Sequence, residues 1–504
     1  MFTIFHGFHL VEAYHQWKKQ HRSDKNPMGL KVLKLFFAIA IPLFLWIVPS
    51  ALYGLPGLNP VEHRVIAIFA FAALMWLFDV VPAWTTSLVV VVLLLFCVSD
   101  SSLWFFQTDA AGARYENLVS NTAILHCFAD PTIMLFIGGF IIAIAATKSG
   151  LDVKLAKVML APFGTRSENV LLGFLLVTAV FSMFISNTAT AAMMLTFLAP
   201  VLKALPADGK GKIGLALAIP IGANIGGIGT PIGTPPNAIA LKFLNDPDGM
   251  NMGIGFGQWM MVMVPFTLVM LFFAWIVLRR LFPFKQKEIF LQIESHHQGS
   301  WRDILVYITF AVTVGLWLTD SITGVNANVV AMLPLGVLCI AGIITKRDLE
   351  QISWSILWMI AGAFALGVAM RQSGLAQNMI EAIPFSQWSP VAIIIGSGLL
   401  CYIMANFISH TATAALFVPI LAIAGTSMAD SLSSLGGVAT LLIGVAICSS
   451  LAMVLPISTP PNALADATGF IKQKYMVKTG LIMGAVGLVL GYALLIFCGS
   501  HGIL

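Results

Sequence analysis

The chain has 504 residues, 59% of them hydrophobic and 10% charged, with a formal net charge of +5. Soluble domains carry about 25% charged residues, so this composition excludes a soluble globular protein and indicates an integral membrane protein. The positive charge is not a nucleic-acid footprint, because 23 of the 27 Lys and Arg fall in connections that alternate along the chain, as cytoplasmic loops do.

Residues 1–33 read as a cytoplasmic N-terminus, basic toward its end and without the pattern of a cleavable leader. Apolar runs long enough to span a bilayer as helix, roughly 20 residues, then follow one another. Spans are expected at 35–54, 62–81, 83–99, 129–149, 212–242 (broken), 256–281, 303–320, 326–345, 354–371, 437–470 (broken) and 479–499. The sum is about eleven transmembrane helices in an all-α integral membrane protein. The polar stretch 282–302 reads as a cytoplasmic linker between a first part, 34–281, and a second, 303–504. The six cysteines are scattered without a CxxC pair, so neither disulfides nor a thiolate metal site are expected.

Two pairs of apolar stretches are interrupted by polar residues. "FISNTATAAMMLTFLAP" begins at Phe184 and "FISHTATAALFVPILA" at Phe407; "PIGTPPNAIA" begins at Pro231 and "PISTPPNALA" at Pro456. Ser186 and Ser409 are 223 apart, Thr234 and Thr459 are 225 apart, and Gly138 and Gly362 open similar segments 224 apart. Three matches in one order mark an internal duplication. Each copy holds five spans, an odd number, so the second enters the membrane from the opposite side, as an inverted repeat. The basic residues agree: the connector Lys148–Arg166 is rich in them, while 371–388 has only Arg371. Inverted repeats with discontinuous helices are the build of secondary transporters.

Segments 168–202 and 388–424 read as re-entrant hairpins whose polar tips reach mid-membrane, each arm being too short to cross. Non-helical backbone survives at that depth only where protein or a water-filled cavity covers it. Ser, Asn and Thr are good N-caps, and Thr234 followed by Pro235 at the first helical position suits a helix start. The glycines of "GANIGGIGTPIG" suit an unwound crossing. Up to four helix N-termini would then meet, each favouring an anion by about 0.3–2 kcal/mol. Desolvating a dianion costs several kcal/mol per charge, so a cation must assist. Side-chain and carbonyl oxygens make a cage for a hard cation, and sodium is the available one. Intramembrane Asp466 is a further functional candidate, while Asp79, Asp130 and Asp320 read as interfacial carboxylates at span ends.

Other classes fit poorly. A hydrolase lacks HExxH and GxSxG, and "IGSGLL" at Ile395 does not complete the latter motif. A nucleotide-driven pump would carry GxxxxGK[ST], which is absent here, so the chain does not read as an enzyme. A channel would also use re-entrant loops and is separated by saturable, counter-substrate-accelerated uptake.

At "SNTATAA", "SHTATAA", "GTPPN" and "STPPN" the sequence resembles the divalent anion/sodium symporter family over nearly the whole chain. The resemblance implies a homodimer in the inner (plasma) membrane, importing succinate, malate, fumarate or citrate with sodium by an elevator movement of a transport domain against a scaffold. It implies a first sodium site from Ser182, Ser186, Asn187 and the carbonyl of Gly233. A second would use Ala405 backbone, Ser409, His410 and the carbonyl of Ser458. Substrate carboxylates would meet Asn187, Thr188, Thr234, Pro235, His410, Thr411, Thr459 and Pro460. His410 departs from the family's usual Asn. A neutral imidazole donates or ligates much as an amide does, and a protonated one supplies the charge of a sodium. A sodium-independent exchanger and a sulfate transporter are the alternatives.

Overall fold

Proline and a capping side chain open one helix after another along this chain. Asn59 accepts from the backbone of Val61 and Glu62 while Glu62 reaches back to the Asn59 N–H, a capping box with Pro60 next in line. Asp130 caps a helix that begins at Pro131, and Ser300 with Asp303 forms a second capping box. Such caps satisfy N–H groups that have no partner inside the helix. The structure, a computed structural model, describes residues 28–53, 57–109, 111–205, 209–247, 249–290, 300–382 and 388–503. Residues 1–27 of the expected N-terminus and 291–299 of the expected linker lie outside them.

The described chain is helical, and its β-bridges are isolated ones. The principal helices are α1 (Met28–Ile47), α2 (Pro60–Phe78), α3 (Ala83–Cys97), α4 (Pro131–Lys148), α5 (Leu151–Leu160), α6 (Ser167–Phe184), α7 (Asn187–Ala204), α8 (Gly211–Gly226), α9 (Pro235–Leu244) and α10 (Phe256–Leu281). They continue as α11 (Trp301–Leu318), α12 (Met332–Ile340), α13 (Trp354–Gln372), α14 (Leu375–Ala382), α15 (Pro390–Ala405), α16 (His410–Ser427), α17 (Gly437–Ser450), α18 (Pro460–Ala467) and α19 (Gln473–Ser500).

Among the described residues nine helices are long and apolar enough to cross a bilayer, ten if Ala429–Leu435 and Gly437–Ser450, bent by 69°, make one span. The expected eleven is not the number that helix length gives. The expected span 326–345 is two pieces, Ala327–Val330 and Met332–Ile340. The first span begins earlier than expected and stops at Ile47, before Pro49, since the residue preceding a proline is pushed out of the helical region. The last begins at Gln473 rather than near 479. The arms flanking Ser186 are longer than expected: α6 and α7 have 18 residues each, and 18 residues of helix rise about 27 Å. The interruption, not the length of the arms, is what sets this stretch apart.

The two halves pack by the same plan. α8 lies against α6 and α7, as α17 lies against α15 and α16. Across the halves, α9 packs on α17 and α16, and α18 packs on α8 and α7. α10 and α19 close the two sets against α8 and α17. α8 is buried along almost its whole length, whereas α1 exposes Val32, Phe36, Phe44 and Ile47, as a lipid-facing helix does. Ion pairs tie the end of α9 to other helices: Lys242 to Asp130 at 2.8 Å and, just beyond it, Asp246 to Arg371 at 2.6 Å.

Candidate functional site

The break between α6 and α7 is two residues long. Ile185 is extended and Ser186 is non-helical, and the Ser186 hydroxyl accepts from the Ala189 N–H at 3.3 Å, so Ser186 is the N-cap of α7. The match 223 residues later behaves alike: Ser409 caps α16 by accepting from Ala412 at 3.1 Å. Each tip thus begins a helix with its first N–H groups facing out of the helix, the arrangement that favours anions.

Around the first tip, oxygens gather. The Ser182 hydroxyl lies 2.6 Å from Asn187 Oδ1 and 2.7 Å from the Ala223 carbonyl. A Cβ on Gly227 would lie 2.7 Å from Asn187 Oδ1 and 3.2 Å from the Gly233 carbonyl, so Asn187, Gly227 and Gly233 adjoin, and a Cβ on Gly233 would fall 2.5 Å from the Gly227 carbonyl oxygen. Ser182, Asn187 and Gly233, three of the four residues expected at a first cation site, are therefore together. Ser186 is beside them as the cap. Asn187 and Thr188 are half-buried and Ala189 is exposed, so this tip is open to a ligand.

At the second tip the residue after the cap, the counterpart of Asn187, is a ring. His410 Nε2 is 2.8 Å from the Ala452 carbonyl, so it carries the hydrogen and donates. Ala452 follows Gly227 by 225 residues, and a ring N–H thus occupies, against that carbonyl, the position that an amide oxygen holds beside Gly227. Ala405 and Ser458 are buried. The Ser458 hydroxyl donates to the Asn406 carbonyl at 2.9 Å and accepts from Leu455 N–H at 3.0 Å. Ser409 is exposed, while His410 and Thr411 are buried.

The two unwound crossings are pinned by asparagines that sequence reasoning left without a role. Asn237 Nδ2 donates to the carbonyls of Gly227 and Thr230 at 3.0 and 2.8 Å. Asn462 Nδ2 donates to Met453 and Leu455 at 2.8 and 3.0 Å. Both are the Asn of a "TPPN" motif, and the signal was its repetition. Thr459 caps α18 by accepting from Asn462 N–H. Thr234 departs from expectation: it stands at the N-cap of α9, extended and buried, but its side chain makes no cap bond. Its neighbour Thr230 secures the loop instead, donating to the Met183 carbonyl and accepting from Gly233 N–H. Pro235 is half-buried and Pro460 exposed, each at the first position of its helix.

None of the residues brought to these tips is Lys, Arg, Asp or Glu. The arrangement offers helix N-termini and hydroxyls to an anion, and an oxygen cluster to a cation. Two cavities lie elsewhere, about 600 Å³ around Asp130, Lys242 and Asp320, and about 280 Å³ around Asp246 and Arg371. Asp320 there accepts from the N–H groups of Phe256 and Gly257 and so caps α10.

A family model described as citrate transporter (CitMHS) matches residues 71–435. The chain is 30% identical to an uncharacterized transporter of Haemophilus influenzae, over 93% of this chain and 96% of that protein. It is 28% identical to the sodium-dependent dicarboxylate transporter SdcS of Staphylococcus saprophyticus, over 93% of this chain and 92% of that protein. An inorganic phosphate transporter of Saccharomyces cerevisiae is 28% identical over 87% of this chain, which spans 46% of that protein's length.

Proposed function

The chain belongs to the citrate transporter family, whose members are membrane transporters and not enzymes, and from that premise we propose that it imports C4-dicarboxylates such as succinate with sodium. The observation that carries this reading is the oxygen cluster of Ser182, Asn187, Ala223 and Gly233 at a helix N-terminus. A sodium ion there would neutralise part of the charge of a carboxylate that the N–H groups of α7 receive. The second carboxylate would meet the N-terminus of α16 at Thr411 and the starts of α9 and α18. Radiolabelled succinate uptake into proteoliposomes, with competing anions, tests the substrate class. Unlabelled dicarboxylates should compete and phosphate or sulfate should not. Phosphate uptake without succinate uptake would overturn the assignment.

The second cation position works differently in this account. The N–H of His410 already holds the Ala452 carbonyl, so the imidazole stands in for a second sodium. The His410→Asn variant should free that carbonyl and steepen the sodium dependence of uptake. An unchanged sodium curve would leave the carbonyl no part in cation binding.

The matched packing of the two halves and the 223–225 residue offsets support a duplication, and the alternation of basic connectors supports its inversion. In that arrangement α6–α10 and α15–α19 form a moving body, interleaved in sequence with a frame of α1–α5 and α11–α14, and the protein works as a homodimer in the plasma membrane with a cytoplasmic N-terminus. The open ends of the two hairpins then face opposite sides. Single cysteines at exposed Glu168 and Asp430, in a background without the six native cysteines, should react with impermeant reagent from opposite faces. Reaction from one face would remove the inverted topology.

A further inference from the structure

We propose that the joint between the two broken helices is an additional cation site, built only from oxygens: Asn224 Oδ1, Asn237 Oδ1 and the hydroxyls of Ser449 and Ser450. The inference rests on the sodium reading above. All four side chains are at most 1% exposed, and none of these four oxygens has a hydrogen-bond partner in the protein. They sit on elements that meet at the turn Gly227–Gly229. Asn224 lies in the last turn of α8 leading into it, and Asn237 holds its carbonyls. Ser449 and Ser450 end α17, which packs on that turn and on α9.

The amide orientations follow from the partners. Asn237 Nδ2 faces carbonyls, which accept only, so the atom left over is Oδ1. Asn462 Nδ2 likewise faces carbonyls, so its Oδ1 accepts, and Asn224 Nδ2 is the donor to it at 3.3 Å and to Thr459 Oγ1 at 3.2 Å. Asn224 Oδ1 is then left over too. Two buried amide oxygens that accept and cannot donate call for a donor or a cation.

The repeat explains why the gap is there. Asn462 follows Asn237 by 225 residues, and the residue 225 after Asn224 is Ser449. In one direction an asparagine bridges the halves, Asn224 to Asn462. In the other direction the bridge would run from position 449 to Asn237, and a serine side chain is too short to complete it. The missing amide leaves Asn237 Oδ1 without the donor that Asn462 Oδ1 has, and the unpartnered atoms around this joint are amide and hydroxyl oxygens of the kind a hard cation prefers. Water would satisfy the same oxygens, and the experiment separates the two.

Thermal unfolding of the full-length purified protein is followed in sodium chloride against choline chloride, for the wild type, Asn187→Ala, Ser449→Asn and the double variant. Asn187→Ala, which disables the first site, should still be stabilised by sodium, and adding Ser449→Asn should remove that remaining response, because the new amide supplies the donor. Ser449→Ala takes away one hydroxyl and carries the test should the asparagine variant fail to fold. Within the Asn187→Ala background it should raise the half-saturating sodium concentration about tenfold, the effect of losing one contact of roughly hydrogen-bond strength. A Ser449→Asn protein stabilised equally in both salts, with its sodium response intact, would place water in the gap and overturn the proposal. Loss of every sodium response in Asn187→Ala alone would overturn it while sparing the sodium reading. A wild type indifferent to sodium would refute the sodium reading itself.

Discussion

Replacing Asn187 by Ala should lower succinate uptake on the order of 100-fold, at least the scale seen when groups that merely orient metal ligands are removed, while the protein remains folded. Asn187 is the first residue of α7 and its Oδ1 receives the Ser182 hydroxyl. Without the amide, Ser182 keeps only the Ala223 carbonyl, and both the cation and the adjoining anion lose a contact. The fold should survive because Asn187 is half-buried at a tip and the Ser186 cap of α7 does not depend on its side chain. Size-exclusion behaviour and initial uptake rates, measured on the same preparation, check the two halves of the expectation. Wild-type uptake by this variant would remove the first tip from the mechanism.

The Gly226→Ala substitution should act on the fold instead. Gly226 is the last residue of α8, and a Cβ there would fall 2.5 Å from Ala179 Cα and against the Ala179 carbonyl oxygen of α6. Those atoms are backbone, so no rotamer change relieves the clash. Among the described residues α6 and α8 form the most extensive helix pairing, and parting them loosens every contact along it. Overpacking of this kind costs about 1–3 kcal/mol and sometimes more, a large share of a total stability of roughly 5–15 kcal/mol. The variant should accumulate poorly in membranes and unfold at a lower temperature. Gly315→Ala on α11, where a Cβ meets nothing within 4 Å, is the control and should be neutral or stabilising by up to about 1 kcal/mol through helix propensity. Equal behaviour of the two variants would mean that the α6–α8 approach is not tight.

How far the sequence reached can be judged residue by residue. Ser186 and Ser409 were legible because a polar cluster inside an apolar run has few uses beyond capping an interrupted helix, and the repeat offset made the two inform each other. Asn187 beside Ser182 and Gly233 followed from the family motif. The roles of Asn237 and Asn462 were not legible, although both stood in the quoted motif. What they bind are carbonyls of the unwound stretch seven to ten residues back, and backbone carbonyls leave no mark in a sequence. Thr234 failed for a related reason: N-cap position and residue type were right, but Thr230 and Asn237 already hold the loop. Asp130 read as an interfacial carboxylate and proves to be both a helix cap and the partner of Lys242. That pairing joins residues far apart in sequence, which periodicity cannot foresee. The number of spans was the weakest reading, since short and interrupted helices blur what counts as one crossing.

If a sodium ion at the first tip assists the anion, a sodium gradient drives uptake and a succinate gradient alone does not. Labelled succinate is presented to proteoliposomes with an inward sodium gradient, with equal sodium on both sides, or without sodium, each with and without succinate inside. Concentrative uptake is expected only under the sodium gradient, with empty vesicles sufficing. Uptake that ignores sodium but is strongly stimulated by internal succinate would contradict it and make this protein an exchanger.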